Sequence, residues 1–417
     1  MVCRINIECD CGHIISVYPQ MDTTLNDFAW PVIIKCDKCN DIIRLHIGID
    51  GIKEKEYISD DQNTTGTVIS CSSTLPVPMF MYLKPDPGMG MHSPFIFAGT
   101  IGISTEYMSS HGRHISLLHT SVFEYRDCYK KLLPLIDTQN FDAFSKKLKK
   151  IFGLKEATRR IGSTTQCKAA YDALILQGFR SLITNEYANS ISVSTFKPII
   201  DFINRADKKE LCKIYDRVTE RHNLTEWERN EAYPYIAEMF GYIESYYPAM
   251  ILSTMGTHND MNHTDMAITS VDDETIMRRY TQGYEVMAHA LVLLVAMANV
   301  VFYGGIDNFP PSNDGKKYTL KDFENLKVNQ QFNVLHSYPE LDMMLGECFN
   351  NHIRNANPHV GVRYDILTQM VNCYYDETDT SKFESFPLID VACQNYMAMI
   401  HIIELQIILS TIKHKKR

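Results

Sequence analysis

The sequence predicts an α+β chain in which a small β-rich amino-terminal part precedes a mainly helical body. Three observations carry this expectation. Short β-branched runs, INIE, HIISVYP, PVIIKC and IIRLHIGI, are separated by polar knuckles between Arg4 and Ile52. From about Ser121 onward, apolar residues recur at helical spacing, as at Phe144, Leu148, Ile151 and Phe152 in DAFSKKLKKIFG. Between them, PVPMFMYLKPDPGMGMHSPFIFAGTIGIS is rich in Pro, Gly and Met and resists a long helix.

These shifts divide the chain into a small β domain over residues 1–52, an irregular or β-containing linker region over 53–120, a helical middle over 121–256, and a helical carboxy-terminal domain over 270–417. Within the helical part, Thr225 with Glu228 is a capping-box pattern, and Ser270 with Asp273 and Thr319 with Asp322 are looser versions of it, placing helix starts near 226, 271 and 320. GGIDNFPPSNDGKK reads as the loop after a long helix ending near Tyr303, and a last helix runs from about Leu388. It ends in KHKKR, Lys413 to Arg417, a basic tail expected to stay solvated and complement the helix dipole; assistance to RNA binding is the sharper alternative.

The composition, 45% hydrophobic and 22% charged over 417 residues, suffices for a sizeable core without covalent staples. A net charge of -9 argues against a duplex DNA binder, so any nucleic-acid contact must come from a local basic patch or a few residues in a cleft. The opening residues MVCRINIECDCGHI have no apolar leader pattern, and a cytoplasmic location is expected. Met287 to Tyr303 is the one candidate membrane span; it is shorter than the roughly 20 residues a span requires and contains His289 and Asn299. A buried core helix is therefore expected, with no stable membrane association, and a membrane-associated effector is the alternative.

Of twelve cysteines, eight are scattered singly and read as small reduced hydrophobes. The other four are grouped: Cys9 and Cys11 in ECDCGH, and Cys36 and Cys39 in KCDKCN. Two hairpin knuckles of this kind can aim four thiolates at one tetrahedral point, the arrangement Zn²⁺ prefers. The C-x-C spacing of the first pair leaves His13 as a substitute ligand. The pattern resembles a zinc ribbon over residues 1–52, and four protein ligands imply a structural rather than catalytic zinc.

IRNANPH, residues 353–359, places Arg354 and His359 about one helical turn apart before a long final helix. Arginine offers a planar fork for phosphate and histidine exchanges protons near neutrality. The same spacing class recurs at Arg113–His119 and Arg217–His222, so spacing alone does not choose among them. Context favours Arg354: the polar Asn355 follows it, and Leu341, Met344, Leu345, Cys348 and His352 form one apolar stripe on a helix leading into it. Arg217 is followed by Val218 within a helix, where His222 can simply favour the dipole.

With this motif and order of helices, residues 270–417 resemble a HEPN domain, and HVGVRYD resembles the continuation seen in HEPN proteins of abortive-infection and antiphage systems. The resemblance implies a helical bundle and a metal-independent endoribonuclease acting as a homodimer. It further implies that His359 exchanges protons with the 2′-hydroxyl and the leaving 5′-oxygen, that Arg354 binds the scissile phosphate, and that Asn355 orients one or the other. Products would carry 2′,3′-cyclic phosphate ends. The expected function is regulated toxic or defensive RNA cleavage, with the ribbon and helical middle sensing a phage or host trigger or the RNA. The alternative is a non-catalytic, dimeric zinc-ribbon and HEPN-like binding or scaffold protein. Weaker candidates are a metal site at His258, Asp260, His263 and Asp265 and another at His111, His114 and His119, whereas Gly88–Gly90 has neither a lysine nor a following helix pattern, which argues against a phosphate loop.

Overall fold

The computed structural model describes residues 5–20, 30–36, 38–47, 63–65, 73–78, 82–83, 122, 126–152, 161–182, 196–246, 249–250, 266–268, 271–311, 315–345, 348–356, 361–365, 368–374, 379 and 381–416. Among these the protein is α+β, mostly helical with small sheets. It divides into two compact units that alternate along the sequence: Met1–Ser116, Glu244–Arg279 and Asn355–Cys393 form the first, and Leu117–Ile243, Tyr280–Arg354 and Gln394–Arg417 the second.

The first unit holds the strands. β1 (Ile5–Glu8) and β2 (Ile14–Gln20) form an antiparallel hairpin, flanked by β5 (Asn63–Thr65) beside β1 and by β6 (Ser73–Pro78), which runs parallel to β2. β3 (Trp30–Lys35) and β4 (Ile42–Ile47) make a second hairpin, and β7 (Tyr82–Leu83) pairs with β8 (Met266–Ala267). The alternating runs expected between Arg4 and Ile52 are these two hairpins.

A three-stranded antiparallel sheet in the same unit was not anticipated: β9 (Val362–Asp365), β10 (Met370–Tyr374) and β11 (Phe383–Pro387), in the order β11-β10-β9. Val371 and Cys373 are buried while their neighbours along β10 are partly exposed, the period-two pattern of a half-buried strand. Gln369 ties this sheet to its unit: its side chain accepts from the Ile268 amide at 2.7 Å and its carbonyl accepts from the Leu388 amide at 2.8 Å.

The second unit is helical. α1 (Arg126–Asp137), α2 (Phe141–Phe152), α3 (Thr164–Leu182), α4 (Lys197–Arg205) and α5 (Lys208–His222) follow the apolar spacing seen in sequence. α5 closes on Asn223 in the left-handed conformation, and α6 (Leu224–Trp227) then passes through a π-helical turn, Glu228–Ala232, into α7 (Tyr233–Gly241). Pro234, which lacks an amide, lies at the start of α7 and suits the widened turn. Tyr129, Tyr171, Tyr233 and Phe240 pack edge to face, Tyr129 on Phe240 at 4.5 Å between ring centres.

Two long helices complete the chain: α8 (Asp273–Tyr303) and, after α9 (Leu320–Glu324), α10 (Val328–Leu335), α11 (Pro339–Leu345) and α12 (Asn351–Asn355), the terminal α13 (Leu388–Lys416). Both are long and apolar enough to cross a membrane, and the most apolar windows are 72% and 83% buried within the protein. Their polar side chains have internal partners where α8 was read as a candidate span. Asn299 is fully buried, accepting from Tyr338 Oη at 2.6 Å and donating to the Ile306 carbonyl at 2.9 Å, while His289 Nδ1 lies 2.6 Å from Glu231.

The expected capping box at Thr319 and Asp322 is present. At the other two starts the caps differ. Asp272 accepts from the Thr275 amide at 2.7 Å, Ser270 lying outside the described residues, and α6 begins at Leu224, one residue before Thr225. The stripe through Leu341 and Cys348 is also not one helix. α11 ends at Leu345, and Asn350 starts a new five-residue helix by accepting from the His352 and Ile353 amides at 2.7 and 3.4 Å. Tyr280 Oη locks this break, accepting from the Asn350 amide at 2.5 Å. An asparagine side chain that satisfies helix-start amides offers the backbone a better solution than continuing the turn.

Candidate functional site

The two knuckles of the first unit bring the four grouped cysteines together. Between β1 and β2, the Cys9 amide donates to the His13 carbonyl and the Gly12 amide to the Cys9 carbonyl at 2.9 and 2.7 Å. Between β3 and β4, the Cys36 amide donates to the Asp41 carbonyl and the Asn40 amide to the Cys36 carbonyl at 2.8 and 2.9 Å. Each knuckle turns on a residue with positive φ, Gly12 at 75° and Asn40 at 66°, residue types that tolerate this conformation.

All four sulfurs lie within 4.8 Å of one another, with Cys9 Sγ 3.4 Å from Cys39 Sγ and Cys11 Sγ 3.8 Å from Cys36 Sγ. Tetrahedral ligation at Zn–S ≈ 2.3 Å requires sulfurs about 3.8 Å apart, so the spacing fits a single ion. Cys9 and Cys36 are buried and Cys11 and Cys39 half-buried, and the cluster comprises the four cysteines without His13.

The electrostatics fit as well. Burial opposes ionisation of Cys36, but the Cys39 and Lys38 amides and the Cys39 and Cys9 thiols bring it down to about 7. Cys39 is raised: the Asp41 amide favours its thiolate, but burial and hydrogen bonds with Cys9, Asp41 and Cys36 outweigh that. Cys9 is also raised, the Cys11 amide being outweighed by burial and by Cys36 and Cys11. Cys36 ionises more readily than Cys9 and Cys39, as expected of clustered thiols whose joint ionisation a bound cation would favour.

Arg354 lies in α12. Its Nε and Nη2 donate to the same carboxylate oxygen of Glu285, Oε1, at 2.8 and 2.6 Å, and its guanidinium sits 5.8 Å from the Tyr284 ring centre. Tyr284 packs in turn on Phe332 and Phe349. Arg354 retains 33% side-chain exposure. Asn355 is the exposed last residue of α12. His359 lies outside the described residues, as do Arg113, His111, His114, His119, Gly88–Gly90, His258, Asp260, His263 and Asp265.

Arg217 and His222, read in sequence as a helix-end pair, converge on one acid. Arg217 donates through both terminal nitrogens to Glu324 at 3.1 and 3.4 Å, and His222 Nε2 lies 3.6 Å from Glu324 Oε1. The Glu324 side chain is 2% exposed, which marks this as an internal tie between α5 and α9. No local pattern marks an acid a hundred residues away as the partner.

The basic terminus is likewise not a free tail. Lys413 pairs with Glu228 at 2.9 Å, Lys415 donates to the Asn204 carbonyl and Lys416 pairs with Asp216, so its lysines tie the end of α13 to the π-helical turn, α4 and α5 instead of remaining solvated. Comparison with protein-family models, curated proteins and solved structures finds no match to this chain.

Proposed function

We propose that the protein is a regulated, metal-independent endoribonuclease of the HEPN type, carrying an amino-terminal zinc ribbon and acting in the cytoplasm as a homodimer. The single observation that carries the reading is Arg354 near the end of a short helix, part-exposed, beside the Tyr284 ring and held by an acid that a phosphate could displace, Glu285. Once released from Glu285, such an arginine suits binding a scissile phosphate and offsetting the charge of its transition state. His359, five residues on, moves the proton from the 2′-hydroxyl and returns one to the leaving 5′-oxygen, and Asn355 orients the phosphate. Zinc at Cys9, Cys11, Cys36 and Cys39 holds the two knuckles together and takes no part in the cleavage. A phage or host trigger, sensed by the ribbon or the helical middle, releases the activity.

A second reading is favoured by the same geometry. Glu285 already neutralises Arg354, as expected for a structural ion pair in a non-catalytic zinc-ribbon binding or scaffold protein. Incubation of the wild type, Arg354→Ala and His359→Ala with total cellular RNA in excess EDTA separates the readings. Cleavage by the wild type alone, leaving 2′,3′-cyclic phosphate ends, supports the ribonuclease. Silence of all three folded proteins, also in extract from phage-infected cells, moves the assignment to the binding protein.

A further inference from the structure

The clamped basic terminus forms one wall of a cleft of about 580 Å³ within the second unit, a size typical of small-molecule sites. The first turns of α3 supply Thr164, Thr165 and Lys168; the π-helical turn supplies Glu228; α13 supplies Lys413 and Lys416. Its floor is a closed polar network. Asp172 accepts from Tyr233 Oη at 2.6 Å, Ser410 Oγ at 2.6 Å and Gln406 Nε2 at 3.3 Å. Gln406 Nε2 also donates to Glu228 Oε1 at 2.9 Å, and Glu228 Oε2 receives both Lys168, at 3.3 Å, and Lys413, at 2.9 Å.

The balance of donors and acceptors decides what such a cleft can take. All four carboxylate oxygens of Asp172 and Glu228 already accept hydrogen bonds within the network. The ammoniums are under-committed: Lys168 and Lys413 share a single oxygen, although each carries three N–H donors. Lys416 adds a third cation at the wall, and the N-terminal turn of the 19-residue α3 contributes its positive dipole end and two hydroxyls. The formal charges balance, since Lys416 is itself paired with Asp216, but N–H donors are in surplus on Lys168 and Lys413, and a group with several anionic acceptor oxygens matches them. A cationic ligand would find the acids occupied.

A second chamber of about 390 Å³ adjoins the first, sharing Ala169, Asp172, Ser410 and His414 with it. Its remaining walls are largely aliphatic, with Ala173, Leu176 and Ile407 among them. We propose that the two chambers bind a phosphorylated small molecule, its phosphates held by Lys168, Lys413 and Lys416 and its less polar body seated against the aliphatic wall. This site is built from α3, the π-helical turn and α13 and does not depend on the ribonuclease reading.

Isothermal titration of the full-length protein tests it, using inorganic pyrophosphate, ADP and adenosine as probes. Saturable binding of pyrophosphate, tighter binding of ADP and none of adenosine at equal concentration is the expected result. Lys413→Gln should weaken ADP by about tenfold or more, the loss of a charge-assisted contact. Because Lys413→Gln also disturbs Glu228, Thr165→Val, which leaves the floor network intact, should weaken it severalfold, and Lys208→Gln on an exposed face should change nothing. Absence of saturable binding, equal binding by all three variants, or binding of an RNA oligonucleotide without pyrophosphate would each overturn the proposal. ADP binding no tighter than pyrophosphate would overturn the assignment of the aliphatic chamber.

Discussion

Arg354 donates twice to one oxygen of Glu285, at 2.8 and 2.6 Å, so the residue proposed to hold a phosphate is already engaged by a carboxylate. The side chains are 33% and 40% exposed, which limits the pair's contribution to stability to under about 1 kcal/mol. If Arg354 binds phosphate, Glu285 is its competitor. Glu285→Gln should then raise RNA cleavage severalfold while lowering Tm by no more than a few degrees. A loss of stability beyond about 2 kcal/mol with no gain in cleavage would instead identify the pair as structural.

Purified protein is expected to carry about one zinc per chain, measured by metal analysis, since four thiolates close a tetrahedral site. Cys36→Ser should abolish stoichiometric zinc and expose β1–β4 to proteases, because ligation and folding of the knuckles are one event. Retention of zinc by this variant would count against the four-cysteine site.

Burial alone would raise the Glu228 pKa, but Lys413 and Gln406 hold it below the usual glutamate range. Its folded pKa lies below the unfolded one, so its contribution is present above the unfolded value and lost as pH falls through the folded value. Glu228→Gln should therefore cost about 2 to 4 kcal/mol at pH 7, leaving two ammoniums with no acid between them. Urea denaturation at pH 7 and below pH 4 should show the difference shrinking in acid. Asp172 acts in the opposite sense: burial raises its pKa, so the folded protein takes up that proton first and the ionised carboxylate opposes folding as pH rises.

Gly178 lies within α3, where alanine would ordinarily favour the helix by about 1 kcal/mol. A Cβ there would meet Tyr129 Oη at 2.9 Å and Phe240 ring atoms at 3.1 and 3.2 Å. Those rings are fixed against each other and by the Tyr129 hydroxyl donating to the Leu174 carbonyl. Gly178→Ala should thus destabilise by about 1 to 3 kcal/mol, and a rise in Tm would refute this packing argument.

The β-hairpins, the helical spacing of α2, the long α8 and α13, and the convergence of four cysteines were all legible locally. Each rests on period, turn residues or ligand spacing, which neighbours along the chain determine. The β9–β11 sheet carried a legible signal too, the alternation in VRYD and MVNCY, but short strands compete poorly with an expected helix when the partner strands are unknown. The break before α12 was marked by Asn350, whose capping depends on a tyrosine seventy residues earlier holding the backbone in place.

What the sequence by itself determined is the α+β class, the order of hairpins and helices, and the residue types able to ligate a metal or bind a phosphate. Only the tertiary structure decided the partners: Glu285 on Arg354, Glu324 between Arg217 and His222, and Glu228 between Lys168 and Lys413. Secondary structure follows interactions between near neighbours, whereas an ion pair across 60 to 185 residues exists only when packing delivers both charges to one place and excludes enough water to hold them.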